Sequence, residues 1–293
     1  MCKRLVLPVE FKIEPRFAAD AERLASVLAQ MASEDVNFGY SKDPARGLLV
    51  GKGADEECLD ATVDILKRKH KVEVTVGAPR VAYRETLACA VEVDYTHKKQ
   101  IGGSGQFARV KLRMEPSKAG NEFKSEIVGA VVPMEYIPGI ERGVQSVWDS
   151  GVLIGFPLID MRVTLFDGAF HQVDSSAFAF EIAACAAMRE GAAKVGVKLL
   201  EPIMDLEVVS PSDFAGSVVG DLNNRGGHIR SQEMHGNASV FRADVPLARL
   251  FGYKGTLSLI TNGMASCAMH FSHYAEVQGN GPDDFRPAVA MRA

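Results

Sequence analysis

No G-x-x-x-x-G-K-[ST] segment occurs in the 293 residues. The nearest approach, Gly51-Lys52-Gly53, has neither the spacing nor the hydroxyl, so this sequence carries no P-loop for nucleotide hydrolysis. Cysteine is sparse: Cys2, Cys58, Cys89, Cys185 and Cys267 are scattered, odd in number and form no C-x-x-C pair. That pattern argues against a disulfide framework and a zinc site and points to a reducing compartment. No apolar run approaches the ~20 residues of a membrane helix, and the N-terminus shows no signal-peptide core. A basic excess is also missing. With 33 Lys and Arg against 37 Asp and Glu, the net charge is −4, so any nucleic-acid contact must come from local patches. The absence of G-x-S-x-G leaves no nucleophile elbow. Seven histidines form no ligand set: His270 and His273, three apart in a strand, point to opposite faces, and His228 and His235 flank a turn.

What is present centres on Tyr95 to Phe107, Tyr-Thr-His-Lys-Lys-Gln-Ile-Gly-Gly-Ser-Gly-Gln-Phe. Leu87–Tyr95 before it is rich in β-branched and apolar residues. After it, Ala108, Val110, Leu112 and Met114 alternate with Arg109, Lys111 and Arg113, a period of two that says strand. The glycine-rich segment is thus expected to be the flexible turn of a long hairpin. His97, Lys98 and Lys99 place positive charge beside free backbone N–H groups suited to RNA phosphates. Gly103-x-Gly105-x-x-Ala108 imitates a dinucleotide fingerprint, with Glu122 and Glu126 near the acidic position. A strand after it leaves the pyrophosphate no helix N-terminus.

The length suits two or three domains. Strands are expected over 5–13, near 38–40, at 48–50 and 72–76, with helices over 20–31 and 55–69, the second burying Leu59, Val63 and Leu66. This β-α-β-β-α-β order reads as a ferredoxin-like sandwich. In the middle block, 123–132 and 158–166 read as strands, the latter turning at Asp167-Gly168. A helix bracketed by Pro133 and Pro138 ends near Gly151, with Ile140, Val144, Val147 and Trp148 as its core face. A second helix runs from Ala177 to about Ala193, capped by Ser175 or Ser176, which explains those serines near His171 without chemistry. His171 lies in a loop that parallel crossovers can bring near the Lys98–Gly105 tip. From Glu201-Pro202 the β-α-β-β-α-β order recurs, with a turn at 234–237, and residues 279–293 read as a disordered tail.

Val93-Asp-Tyr-Thr-His-Lys-Lys-Gln100, Gly102-Gly-x-Gly-Gln-Phe-Ala-Arg-Val110, Val132-Pro133-x-x-Tyr136-Ile-Pro138, Gly155-x-Pro157 and Asp167-Gly-x-x-His171-x-Val-Asp-Ser-Ser176 resemble the fourth domain of bacterial elongation factor G. Leu200-Glu-Pro-Ile-Met204, Val219-Gly-Asp-Leu-Asn223, Val245-Pro-Leu and Phe251-Gly-Tyr253 are similar to its fifth domain, and Val81-Ala-Tyr-Arg-Glu-Thr86 to the junction of its third and fourth. The resemblance implies an α+β chain of three domains. Residues 1–80 would be third-domain-like and ferredoxin-like, 81–200 a ribosomal-protein-like α/β tip domain, and 201–278 a second ferredoxin-like sandwich.

The same resemblance implies the ribosome-binding body of a translocase that promotes tRNA–mRNA translocation, without its GTPase and second domains. No enzymatic activity, cofactor or metal is expected of this chain, GTP and magnesium belonging to the missing domain. The implied partner is the ribosome, through ribosomal RNA, the decoding site and tRNA–mRNA, met by a cytoplasmic monomer without a membrane. A stand-alone, GTPase-less ribosome-binding modulator or a non-functional partial paralogue is the alternative. Carried over by motif, the contact residues are His97, Lys98, Lys99, Gln100, Gly102, Gly103, Ser104, Gly105 and Gln106 in one loop, and His171, Gln172, Asp174, Ser175 and Ser176 in the other. The chain departs from the family at Gly53-Ala-Asp-Glu-Glu-Cys-Leu59, at Asn224-Arg225-Gly226 where two arginines are usual, and near Ser258 and Met264, where basic residues are usual. Each lost cation weakens phosphate contact and flattens the salt dependence.

Overall fold

The computed structural model describes residues 6–42, 48–101, 104–129 and 131–277. The expected tail, 279–293, lies outside them. The chain is α+β and forms two compact units, one reaching Ala82 and resuming over Glu201–Ala275, the other covering Tyr83–Leu200.

The first unit opens with β1 (Val9–Pro15), α1 (Ala21–Glu34), β2 (Phe38–Lys42), β3 (Leu49–Gly53), α2 (Glu57–Arg68) and β4 (Val74–Val76). Their antiparallel sheet runs β2-β3-β1-β4, the ferredoxin-like order, with β5 (Arg80–Val81) also pairing β1. Alternation buries Val9, Phe11 and Ile13 of β1 against Leu24, Val27, Leu28 and Met31 of α1. Gly51 makes room for the Phe11 ring, since a Cβ there would lie 2.5 Å from it. In α2 the buried positions are Thr62 and Leu66, while Leu59 and Val63 are half-buried. The Thr62 hydroxyl enters the core because it donates to the Cys58 carbonyl at 2.7 Å, as Ser and Thr side chains do inside helices.

The second unit contains β6 (Arg84–Leu87), β7 (Val91–Ile101), β8 (Ser104–Pro116), β9 (Glu122–Ser125), α3 (Ile137–Ser150), β10 (Met161–Ala169) and α4 (Ala177–Val195). Its sheet runs β7-β8-β10-β9, with β9 parallel to β10 and the other pairs antiparallel. Val110, Leu112 and Met114 pack with Ile140, Val144, Val147, Trp148, Phe180 and Met188 in one core. Trp148 is a core residue, 6% exposed.

Three expectations fail here. The strand expected over 123–132 stops at Ser125 because Glu126 makes its last ladder bond to Leu165 and β10 then shifts register between Leu165 and Asp167. Gly129 follows at φ +79°, which an extended strand does not use. The strand expected over 158–166 is displaced to Met161–Ala169, since Asp160 sits at φ +57° and Leu158 bridges Glu85 instead. Asp167-Gly168 is therefore no turn. The same bulge absorbs it, and β10 continues to Ala169.

The first unit resumes along β11 (Val197–Pro211), then α5 (Ala215–Asn224), β12 (His228–His235), β13 (Ala238–Pro246), α6 (Tyr253–Ile260) and β14 (Ser266–Glu276). The order β12-β13-β11-β14 repeats the first sheet, and the first residues of β11, Val197–Leu200, belong to the second unit and pair β6 there. The turn expected over 234–237 is tighter. His235 pairs Ala238, leaving a two-residue Gly236-Asn237 connection with Gly236 at φ +62°, as two-residue hairpins require.

Within this unit the start of α2 meets the start of α6. The Gly252 N–H donates to Glu56 Oε2 at 2.9 Å, and the Lys254 ammonium pairs with Glu57, which raises the pKa of the lysine. Both side chains are largely exposed, so the pair is worth little. Lys254→Glu is expected to cost about 0.5–1 kcal/mol, and the swap with Glu57→Lys to recover most of it. Urea titrations of the three variants check this.

Candidate nucleic-acid interface

The hairpin is built by eleven pairs in unbroken register, from Val91↔Met114 to Ile101↔Ser104. The long hairpin expected here is present, but the tip loop is shorter than the His97–Gln106 that the resemblance implied. His97–Gln100 and Ser104–Gln106 are paired strand, and only Gly102 and Gly103, outside the described residues, connect them. The alternating stem propagates its register outward, and a two-residue glycine connection suffices for a hairpin. The ladder engages alternate backbone groups; β7 is the edge strand of this sheet, so its other N–H and C=O groups face away from β8.

Along the stem the cations are neutralised. Arg109 grips Asp94 with two hydrogen bonds of 2.8 and 2.5 Å, Lys111 lies 2.8 Å from Asp167, and Arg113 pairs with Glu92 at 2.8 Å. The Arg109 hydrogen bonds hold the Asp94 carboxyl below the usual range, as Lys111 does for Asp167. Register dictates this: Thr96↔Arg109, Asp94↔Lys111 and Glu92↔Arg113 place acids and bases on one face.

At the end of the hairpin the pattern changes. Lys98 and Lys99 are exposed, and among the described residues no ion pair joins either to an acid. Being consecutive in a strand, they point to opposite faces. His97 Nε2 lies 3.1 Å from Gln106 Oε1, so those two side chains engage each other.

The second loop lies against this end. The Phe107 N–H donates to the Asp174 carbonyl at 2.8 Å, and the Ser175 hydroxyl donates to the Phe107 carbonyl at 2.7 Å. The His171 ring meets the Phe107 ring edge-on at 6.5 Å between centroids. His171 Nδ1 is 3.2 Å from an Asp174 carboxylate oxygen. A Cβ on Gly105 would come within 2.7 Å of the Asp174 carboxyl group. Ser176 caps α4, accepting the Ala179 N–H at 3.1 Å. Gln172 is exposed. Of Gln100 and Ser104 the ladder fixes the backbone, opposite Gly105 and Ile101.

The chemistry available is electrostatic and steric. The Ser175 proton goes to a carbonyl and its oxygen accepts the His171 backbone N–H, so the serine is not activated by the imidazole. Burial pushes the Cys58, Cys185 and Cys267 thiols up, away from nucleophilic thiolate. No cluster of three or more His, Cys, Asp or Glu among the described residues is placed to hold a metal ion. Nor is any helix among them long and apolar enough to cross a membrane.

Sequence reasoning passed over two residues. Phe107 contributes through its backbone, which no side-chain pattern announces. Glu85 is fully buried, and its carboxylate accepts five N–H groups from Val152 to Phe156 at 2.8–3.2 Å.

Two sheets of ferredoxin-like order and, between them in sequence, a domain whose hairpin is clasped by a second loop define an α+β multidomain chain. Family models agree, segment by segment: "Elongation Factor G, domain III" matches residues 8–78, "Elongation factor G, domain IV" residues 79–196, and "Elongation factor G C-terminus" residues 198–285. The chain belongs to the elongation factor G family. It is 52% identical to elongation factor G of Cereibacter sphaeroides over 284 residues, covering 96% of this chain and 40% of that protein. The Rhodopseudomonas palustris elongation factor G is 53% identical over 274 residues, covering 93% and 40%. A crystal structure of a Thermus thermophilus protein superposes with a TM-score of 0.72 at 37% identity, over 94% of this chain and 42% of that one. The chain thus spans about 40% of the length of the curated relatives it matches.

Proposed function

We propose that this chain is the ribosome-facing body of an elongation-factor-G-type translocase, acting on tRNA–mRNA during translation elongation, with GTP hydrolysis residing outside these residues. The observation that carries the reading is the charge contrast along one hairpin. The stem cations are paired, whereas Lys98 and Lys99 at its end are exposed and joined to no acid among the described residues. In a protein of net charge −4, two exposed lysines with no acid partner give the end of this hairpin a local positive potential. Phosphates of ribosomal RNA, tRNA or message are the complementary partner. The hairpin and the clasped loop then occupy the decoding site sterically, as a cytoplasmic monomer, with no cofactor of their own.

Co-sedimentation with ribosomes across a salt series tests this. Lys98→Ala with Lys99→Ala is expected to weaken association and to lower the log–log salt slope by about 0.7–0.9 per lysine. An unchanged slope with unchanged binding excludes the tip as the electrostatic contact.

A further inference from the structure

We propose that the two tip loops form a single recognition element in which Ser175 and Asp174 are positioning residues. They hold the hairpin end through the backbone of Phe107 and leave Lys98, Lys99 and His171 as the groups that meet RNA. The assignment of RNA contact rests on the function proposed above; the coupling of the loops rests on geometry alone. β10 ends at Ala169, opposite Arg109. Two residues nearer the tip on β8, Phe107 turns its N–H and C=O toward the same side, where among the described residues no strand receives them. The second loop takes that place. The Asp174 carbonyl accepts the N–H, and the Ser175 hydroxyl donates to the C=O.

One hydroxyl makes the link in both directions, since Ser175 Oγ also accepts the His171 N–H at 2.8 Å while the Ser175 N–H donates to the His171 carbonyl at 3.1 Å. The backbone of His171 and that of the hairpin end are therefore joined through a single side chain. Gly105 completes the seat, because a Cβ there would stand 2.7 Å from the Asp174 carboxyl group and displace it. An open strand edge satisfied by a loop is held by few bonds, so losing one releases the segment locally while the core stays folded.

Amide hydrogen exchange and ribosome co-sedimentation of the full chain test the proposal together. Ser175→Ala is expected to speed exchange over residues 104–109 about tenfold, the loss of one hydrogen bond, with the global unfolding midpoint unchanged. Ser175→Thr, which keeps the hydroxyl, restores protection. On ribosomes Ser175→Ala weakens association but keeps the wild-type salt slope, because the lysines still reach phosphate; a lysine variant lowers the slope. Gly105→Ala speeds exchange in the wild type and has no further effect in an Asp174→Ala background. Unchanged exchange in Ser175→Ala, or additive effects of Gly105→Ala and Asp174→Ala, overturns the coupling. The expected exchange pattern in a chain that binds no ribosomes keeps the coupling and refutes the ribosomal reading.

Discussion

Replacing Glu85 with alanine is expected to destabilise the second unit by about 3 kcal/mol, the low end of the cost of orphaning partners of a buried charge. The Glu85 carboxylate is fully buried on β6, and the segment from Val152 to Phe156 folds its N–H groups around it. Oε2 accepts from Val152 and Leu153, and Oε1 from Ile154, Gly155 and Phe156. Backbone bonds from Glu85 to Pro157 and from Ile159 to Glu85 close the ring. Without the carboxylate, five donors lose their acceptor at once. Leu153 is 50% exposed, so water reaches the outer face of the loop and recovers part of the loss, which is why the low end applies. Glu85→Gln is isosteric but turns an NH2 group toward N–H donors, so it too is expected to cost about 2 kcal/mol. Trp148, the single tryptophan, lies in the same core, and its fluorescence in urea reports this unit directly. An unchanged midpoint for Glu85→Ala would show that the carboxylate is replaceable by water.

Gly143→Ala and Gly220→Ala are expected to have opposite signs. Both glycines lie inside helices, where alanine is favoured by about 1 kcal/mol. In α5 a Cβ on Gly220 meets nothing within 4 Å, so that gain is realised in full. In α3 a Cβ on Gly143 would stand 2.4 Å from the Glu181 carbonyl oxygen and 2.9 Å from the Ala184 Cβ. One turn earlier a Cβ on Gly139 would likewise stand 2.3 Å from the Ala177 carbonyl oxygen. The obstacle is backbone, so relief requires α3 and α4 to separate over a core that is closely filled. Separation also stretches the bond from Cys185 to the Gly143 carbonyl. Overpacking of this kind costs about 1–3 kcal/mol or more, which outweighs the propensity gain. Gly143→Ala is therefore expected to lose about 2 kcal/mol net. Thermal melts of the two variants decide; stabilisation by both would mean the α3–α4 contact yields easily.

Much of the fold was legible because its signals are local. Val110, Leu112 and Met114 alternate with cations on β8, and Leu24, Val27, Leu28 and Met31 recur at helical spacing on α1, so strand and helix were fixed by period alone. The ion pairs of the stem were not read from the sequence, since they depend on the register Asp94↔Lys111 and Glu92↔Arg113 and on Asp167 of β10, which Lys111 meets. The ends of β9 and β10 were not legible. They depend on a bulge at Leu165–Asp167 and a left-handed Asp160, which arise from packing between distant segments. The clasp on Phe107 was hidden for the same reason: its donors and acceptor are mostly backbone atoms brought together from 68 residues apart. Glu85 looked like any strand glutamate, because what distinguishes it is a loop that follows 67 residues later.

The unbroken pairing of β7 with β8 gives the projection a granular length. Adding one residue to each strand would advance its end by about 3.4 Å but turn every side chain beyond the insertion to the other face. Lys98 would then take the side now held by His97, and the open edge of Phe107 would no longer meet the second loop. Only steps of two residues per strand, about 7 Å, keep faces and clasp together. Descendants of this chain that reach farther or less far are thus confined to a ladder of discrete lengths, each of which needs a matching change in the loop after β10.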